Sequence, residues 1–392
     1  MMIANTAKAA LIVGTALGLS MSAASAASMA KAGMDKRIAD LEREVVLLKN
    51  QAKSAMMPKT PAKMIQSGNS RVRLTLYGQV NKAVRVASVD GETQFQTVDN
   101  DGSSSRIGIR AVGKANPNLT IGALHELEWQ YNRRSGTGEG NDGNERIRAR
   151  HVDLWLSHKD LGKLSMGKGS IAGDAAHLIT LSGVSHIMGF GGPSGSDGGV
   201  SGGRNYTFGG FFGARQSRVR YDTPNLMGLS LAASMNEKEG WSVQGQYVGA
   251  PPGVKDFNAF IRAGYRQDDG GGNYWGVSGG VAHSSGFNLN GSYASDSDVS
   301  TANGDEDRFQ WGIEAGWGGK VSDLGKTNIG VGYHYSDDNM VETDYYYVAV
   351  NQEIAAAAAD VYFGAGSDSG SDADGNDRDS VTVVIAGARI KF

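Results

Sequence analysis

The sequence contains no cysteine, and this absence excludes both a disulfide framework and thiolate metal sites. Proline is also scarce, with 7 residues in 392, whereas glycine is abundant, with 57. No apolar run reaches the about 20 residues that a helix needs to cross a bilayer, so any membrane insertion must use strands. The formal net charge of -3 is small and no basic run accompanies it, which argues against a nucleic-acid partner.

The first residues have the features of a secretory signal peptide. Lys8 precedes an apolar run from Ala9 to Leu19, and Ala24-Ser25-Ala26 follows as a small-residue cleavage site. The pattern predicts that residues 1–26 are removed and that the mature protein works outside the cytoplasm. A secreted soluble protein is the alternative at this point.

A short helical segment is predicted next, over residues 27–53. Its apolar side chains are spaced by three, four and three residues, which is the narrow a/d seam of a coiled coil rather than the wider stripe of a core-facing helix. The seam consists of Ile38, Leu41, Val45 and Leu48. Two heptads are marginal alone, so we expect a larger assembly to hold this coiled coil together. A lone amphipathic helix that lies on or plugs the following domain is the alternative. Residues 54–70 form a predicted linker.

From residue 71 onward the hydrophobic period is two. In one example Phe309, Trp311 and Ile313 alternate with Gln310 and Glu314. Strands of this kind, repeated to the end of the chain, predict an all-β fold, namely a transmembrane antiparallel barrel of about 16 strands over residues 71–392. Because only alternate residues of such a barrel face lipid, the low mean hydropathy of -0.32 agrees with it.

The last strand and the connections support a location in a bacterial outer membrane. The final strand ends on Phe392, on an apolar face that gains nothing in a soluble domain, and we expect this residue to serve membrane assembly. Short and long connections alternate, as periplasmic turns and extracellular loops of outer-membrane barrels do. The short ones include residues 223–228 and 284–286, and the long polar ones include residues 133–145, 295–307 and 367–380.

One connection is much longer than the others. Residues 170–213 follow the predicted fifth strand without strand periodicity, and they are rich in glycine. Loops of this length tend to be functional, and a barrel of about 16 strands has a wide lumen. We therefore predict that residues 170–213 fold inward as a constriction loop. Its charged residues are Asp174, Asp197 and Arg204.

The same alternation predicts which charged side chains face the lumen. The basic set is Arg73, Arg85, Arg106, Arg110, Arg218 and Arg220, and the acidic set is Glu126, Glu128 and Asp222. A cation on the lipid face near the midplane costs roughly 2–4 kcal/mol, so arginines on the polar faces favour a charged pore. The phase of Arg148 and Arg150 stays open, because the alternation reverses near His151 as it would at a bulge.

The chain resembles the Gram-negative trimeric porin family over residues 71–392. The stretches that carry the resemblance are LYGQVNKAV (76–84), VDNDGSSSRIGIRA (98–111), LWLSHKDLGKLSMGKGS (154–170), SRVRYDTPNLMGLSLAASM (217–235) and the terminal Phe392. The resemblance implies a homotrimer of passive channels without a cofactor. Its partners would be outer-membrane lipid and lipopolysaccharide, and it would admit small hydrophilic solutes and ions. In that family, acids on the third loop face a row of basic residues.

The charge of the predicted loop departs from that family pattern, because its acids are only Asp174 and Asp197. We therefore expect a mild preference for anions. One alternative is a substrate-specific channel for anions such as dicarboxylates, since a subset of outer-membrane channels resembles this chain in carrying a periplasmic coiled-coil extension. Another is a structural barrel that tethers the envelope by binding the cell wall through the coiled coil.

The sequence supports an enzyme less well than a channel. An outer-membrane phospholipase-like barrel needs a His-Ser pair, and no serine is evidently paired with His125 or His151. A phosphate-loop spacing at residues 162–168 is followed by Gly169 where serine or threonine must hold Mg²⁺. A calcium-loop spacing near the C-terminus has Asp377 where glycine is needed. We expect a channel rather than an enzyme, and no metal or cofactor.

Overall fold

The structure is a computed structural model of the chain. It describes residues 68–89, 92–130, 146–178, 180–188, 215–237, 240–251, 253–267, 272–301, 304–337, 342–371 and 375–392. The predicted signal peptide, the coiled-coil seam and most of the linker lie outside the described residues, as do Asp197 and Arg204. Within the described part, no helix is long and apolar enough to cross a membrane.

Among the described residues, seventeen antiparallel strands build one sheet. They are β1 (Val72–Val89), β2 (Glu92–Asp99), β3 (Arg106–Lys114), β4 (Leu119–Gln130), β5 (Arg146–His158), β6 (Gly162–Gly169), β7 (Gln216–Asp222), β8 (Leu229–Asn236), β9 (Trp241–Gly249), β10 (Phe257–Gln267), β11 (Asn273–His283), β12 (Phe287–Thr301), β13 (Gly304–Ser322), β14 (Gly325–Asp337), β15 (Glu342–Ile354), β16 (Ala359–Ser371) and β17 (Asp377–Lys391).

The sheet closes on itself because its first strand pairs with its last. Val80 of β1 lies opposite Ile390 of β17. On its other side β1 pairs with β2 through residues 82–89 and with β3 through residues 72–79. The short 3₁₀ turn Asp101–Ser103 separates β2 from β3, so these two strands share one place in the barrel. The barrel therefore has 16 strand positions, which confirms the predicted count.

Side chains alternate between an apolar outer face and a polar inner face. In β13, Trp311 and Ile313 are 40% and 47% exposed, whereas Gln310 and Glu314 are buried inside the barrel. Aromatic rings of neighbouring strands also meet on the outside, where the ring centroids of Trp311 and Tyr333 are 5.3 Å apart. An exposed apolar band of this kind is stable only when lipid covers it, so the outer face is the membrane-facing surface.

Two hairpins at the long-loop end differ from the prediction. β12 runs to Thr301 before β13 begins at Gly304, and β16 runs to Ser371 before β17 begins at Asp377. The long polar loops predicted at these two places are therefore mostly strand, and that prediction is wrong. The sequence of these extensions is mostly polar, so no apolar alternation marks them as strands. The short turn at residues 284–286 lies where it was predicted.

A bulge in β5 resolves the phase that the sequence left open. Glu126 of β4 lies opposite His151, whereas the next residue, Leu127, lies opposite Ala149. Arg150 therefore has no opposite residue and is the extra residue of the bulge. The bulge reverses the alternation of β5, which is the reversal that the sequence shows near His151.

Candidate functional site

The first half of the predicted constriction loop lies inside the barrel. Its described residues, 170–178 and 180–188, are bound to polar side chains of the inner wall. The bonds run from Ala172 N–H to Ser234 Oγ (2.9 Å), Gly173 N–H to Ser242 Oγ (3.2 Å), Ser278 Oγ to the Ala176 carbonyl (2.6 Å), Leu181 N–H to Asn290 Oδ1 (3.0 Å) and Asn100 Nδ2 to the His186 carbonyl (2.9 Å). These partners belong to β8, β9, β11, β12 and the turn after β2. The loop therefore follows the inner wall around a large part of the barrel.

Glycines in the wall make room for the loop. A Cβ atom on Gly330 would lie 2.5 Å from Val184 Cγ2, and one on Gly364 would lie 2.7 Å from Met188 Cγ. Both distances are far shorter than van der Waals contact, so a side chain at either position would displace the loop. Other wall glycines meet the loop in the same way, namely Gly264, Gly280 and Gly316. Part of the glycine excess of the sequence therefore forms a track for the loop.

The second part of the described loop packs into an apolar core within the barrel. Val184, Ile187 and Met188 are buried against wall residues, which are Ala83, Ala87, Val98, Tyr345, Tyr347, Ala349, Tyr362, Val381, Val383 and Ile385. Burial of an apolar side chain of this size stabilises by about 1.5–3 kcal/mol. This core fixes the loop against one side of the barrel.

Arg218 of β7 holds the root of the loop. Its guanidinium makes two bonds of 2.8 Å to the carboxylate of Asp153, and its Nε donates to the carbonyl of Ser170 at 3.1 Å. Only 4% of the Arg218 side chain and 8% of the Asp153 side chain are exposed. The charge of Arg218 is therefore balanced by a buried partner, and the residue positions the loop more than it charges the lumen.

Arg220 acts on the same root from the next inward position of β7. It donates to the carbonyl of Ile171 at 2.8 Å and to the carboxylate of Asp222 at 2.6 Å. Both Arg220 and Asp222 lie on the inner face, where the alternation placed them. Because they neutralise each other, their joint contribution to the field in the lumen is small.

Glu126 and Glu128 form the centre of a charged cluster on the inner face. Arg150 binds both carboxylates, with Nε to Glu126 and Nη1 to Glu128 at 2.7 Å each. Arg148 also binds Glu128, and Arg106 Nη1 lies 3.9 Å from Glu126. The bulge in β5 brings Arg150 to this cluster. Both acids are buried and bound to arginine, so they add little negative field to the lumen.

Arg85 requires a correction. It lies on the inner face as predicted, but it is 1% exposed and donates to Gln96 Oε1 at 3.0 Å. It stands between Ala83 and Ala87, which belong to the apolar core. Because packing of that core excludes water from this part of the wall, Arg85 does not line the open lumen.

Arg73 and Arg110 are exposed on the inner face near the short-turn end of the barrel. Lys163, which is not among the predicted lumen residues, lies on the same side of the barrel wall as Arg110. The guanidinium carbon of Arg110 is 5.7 Å, and Nζ of Lys163 is 5.6 Å, from the ring centroid of Trp155. Two cations therefore share one aromatic ring in the wall. Lys163 precedes the outward Leu164, so the alternation of β6 carries the signal that identifies it.

Two further lumen cations are not among the predicted pore-lining residues. Arg262 lies on the inner face of β10 and donates to the carbonyl of Ala175 at 3.3 Å. Arg215 donates from Nε to His151 Nε2 at 3.2 Å. Because Ile261 points outward and neighbouring residues of a strand alternate, the sequence places Arg262 on the inner face. Arg215 precedes β7 in a segment without periodicity, so the sequence holds no signal for it.

The described part of the loop carries few charged or titratable groups. Asp174 lies in its first turn and lines a polar recess together with Arg220 and Arg262. Burial, together with the nearby charge of Arg389, lowers the pKa of His186 to about 4, so this imidazole is neutral at pH 7.

The unpaired charges of the lumen are mostly positive. In the part of the chain that the structure describes, no carboxylate forms an ion pair with Arg73, Arg110, Lys163, Arg215 or Arg262. Asp174 is the loop acid that faces them, and it also forms no ion pair there. An excess of fixed positive charge in an aqueous lumen attracts anions.

The terminal Phe392 lies on the outer face, and 60% of it is exposed. Its backbone N–H donates to the Gly78 carbonyl at 3.0 Å, and its carbonyl accepts from the Gly78 N–H at 2.8 Å. The last residue thus completes the closing ladder with β1 and presents its ring to the membrane. Its role in assembly stays a prediction.

A closed barrel with an apolar outside, an infolded loop and a charged lumen defines a channel of the outer membrane. A sequence profile of the Gram-negative porins matches residues 15–382. The chain therefore belongs to the Gram-negative porin family. No curated protein sequence matches it. The family and the fold indicate a channel rather than an enzyme.

Solved structures of outer-membrane proteins share the fold at low sequence identity. An anion-selective porin from Comamonas acidovorans is 14% identical over 82% of this chain and 100% of its own, with a TM-score of 0.58. In vitro folded OmpT of Vibrio cholerae, in its trimer form, is 15% identical over 82% of this chain and 99% of its own, with a TM-score of 0.54. The outer membrane channel DcaP of Acinetobacter baumannii is 14% identical over 83% of this chain and 99% of its own, with a TM-score of 0.54.

Proposed function

We propose that this porin is a passive aqueous channel with a mild preference for anions. The supporting observation is the imbalance of unpaired charge in the lumen. Exposed cations such as Arg73 and Arg110 have no carboxylate partner among the described residues, whereas Asp174 is the acid of the described loop. Fixed charge of one sign concentrates counter-ions in a narrow aqueous passage and excludes co-ions. The porin from Comamonas acidovorans that shares this fold is named as anion-selective, which is compatible with the proposal.

The preference should be mild because many lumen charges cancel. Arg218 is paired with Asp153, Arg220 with Asp222, and Arg150 with both glutamates of its cluster. Only the unpaired cations produce a field in the open lumen. That field is also screened, since the Debye length falls from about 10 Å at 0.1 M salt to about 3 Å at 1 M.

The test is the reversal potential of purified protein in planar bilayers under a KCl gradient. We expect the wild type to favour chloride at 0.1 M and to lose much of that preference at 1 M. Replacing Arg106 and Arg110 by serine should raise the conductance and shift the reversal potential toward cations. Lys159→Ser removes a charge from an exposed turn and should leave both the conductance and the reversal potential unchanged. Strong cation selectivity of the wild type would contradict the proposal, and a protein that acts only as an envelope tether would show no conductance.

We further propose that the porin is a homotrimer. Lys82 supports a subunit contact at β1, because it points outward near the middle of the strand and 55% of its side chain is exposed. Its ion pair with Asp99, at 2.6 Å, offsets part of the cost of facing lipid, and a subunit contact would offset more. OmpT, which shares the fold, is described in a trimer form.

Gel mobility in SDS without heating and native mass spectrometry test this assembly. We expect an SDS-resistant trimer. Deletion of residues 34–51, the predicted coiled coil, should lower the temperature at which the trimer dissociates but leave the conductance intact. A native mass of one or two protomers would contradict the proposal.

A further inference from the structure

A polar recess opens in the lumen wall beside the first turn of the loop. Its volume is about 490 Å³, which lies within the range of small-molecule sites. Its charged and amide lining residues are Asp174, Arg220, Asp222, Gln244, Gln246 and Arg262. These side chains come from the loop, β7, β9 and β10. The barrel wall and the anchored loop therefore build the recess together.

Arg262 is fixed in this recess by three hydrogen bonds and keeps two N–H groups that are not used. Its Nε and Nη2 donate to Gln246 Oε1 at 3.3 and 3.1 Å, and its Nη1 donates to the Ala175 carbonyl at 3.3 Å. A guanidinium has five N–H groups, so these bonds leave one hydrogen on each terminal nitrogen. Two such donors match the two oxygens of a carboxylate.

Acceptors lie in the same recess. The Asp174 carboxylate forms no ion pair among the described residues. Its two oxygens lie in the lining of the recess together with Arg262, so they can accept from the N–H groups of a solute there.

The charge balance of the recess selects the chemistry of the ligand. Arg220 and Asp222 neutralise each other, which leaves one positive group, Arg262, and one negative group, Asp174. A simple anion would meet the repulsion of Asp174, and a simple cation would meet that of Arg262. A molecule with a carboxylate and an ammonium group a few ångströms apart meets neither.

We propose that the recess is a binding site for zwitterionic α-amino acids. The carboxylate of the solute accepts from the free hydrogens of Arg262, and its ammonium group donates to the carboxylate of Asp174. This inference rests on the proposed function, since the solute reaches the recess only through an open lumen. It goes beyond the general anion preference, because the site favours solutes that carry no net charge.

The experiment measures uptake of radiolabelled glycine into proteoliposomes as its concentration rises, with KCl conductance recorded on the same preparation. Binding in the recess makes the uptake saturate, whereas free diffusion stays linear. Unlabelled L-alanine should compete. Glycine betaine has no N–H donor, acetate has no ammonium and ethylammonium has no carboxylate, so each should compete about tenfold less well.

Variants separate the recess from the rest of the lumen. Asp174→Asn and Arg262→Gln should each raise the half-saturating glycine concentration about tenfold and leave the channel conducting. Asp174→Asn should also improve competition by acetate, because it removes the repulsive carboxylate. Lys159→Gln, which removes a cation from an exposed turn outside the recess, should leave the half-saturating concentration unchanged.

Two results would overturn the inference while the channel conducts. They are linear glycine uptake by the wild type, and saturation that neither Asp174→Asn nor Arg262→Gln changes. Competition by acetate equal to that by L-alanine would also overturn it, because the recess would then be a plain anion site. Absence of KCl conductance in the wild type would refute the proposed channel and this inference with it.

Discussion

Removal of the carboxylate partner of Arg218 should weaken the root of the constriction loop. In Asp153→Asn, an arginine with 4% of its side chain exposed loses two bonds of 2.8 Å to a carboxylate. Breaking a buried ion pair costs about 3–5 kcal/mol, because one charge stays buried without compensation. Arg218 keeps its bond to the Ser170 carbonyl, and asparagine can still accept one bond, so we expect a loss of about 3 kcal/mol. The urea concentration at the midpoint of unfolding, followed by tryptophan fluorescence and gel mobility, measures this loss of stability.

Two variants control this prediction. Asp323→Asn breaks an ion pair with Lys320 on the protein surface and should leave the urea midpoint unchanged. The double variant Asp153→Asn, Arg218→Met removes both charges, so it should be more stable than Asp153→Asn alone. If Asp153→Asn lowers stability no more than Asp323→Asn does, the buried pair does not hold the root of the loop, and the reasoning fails.

Two further predictions concern the loop itself. Gly330→Leu should force Val184 from the wall, lower stability by about 1–3 kcal/mol and change single-channel conductance, because its Cβ would lie 2.5 Å from Val184 Cγ2. Gly291→Ala is the control, because the atom nearest to its new Cβ is 3.4 Å away, and it should change neither the stability nor the conductance. An unaltered conductance in Gly330→Leu would contradict the inference that the wall glycines make room for the loop. Because the pKa of His186 is about 4 when folded and about 6.5 when unfolded, the unfolded chain binds its proton first as pH falls. The wild type should therefore lose about 2–3 kcal/mol more than His186→Gln between pH 7.5 and pH 4.5, and equal losses in urea unfolding would exclude this role.

The barrel itself was predictable from the amino-acid sequence. A strand that separates lipid from water must alternate, so the polarity of each residue reports its face. This local rule placed Trp311 outside and Glu314 inside, and it led to the confirmed count of 16 strand positions. The rule fails where neither face is apolar, and for this reason the sequence predicts loops where the structure has the strand extensions at Thr301 and Ser371.

The partners of the inward charges were decided only by the tertiary structure. The alternation along β7 predicts that Arg218 faces inward. Only the register of β5, β6 and β7 shows that it binds Asp153 and the root of the loop. The alternation likewise could not show that the core buries Arg85. The face of a side chain depends on its own strand, whereas its net charge in the lumen depends on contacts between residues far apart in the chain. The field of the pore is therefore a property of the folded barrel and its infolded loop.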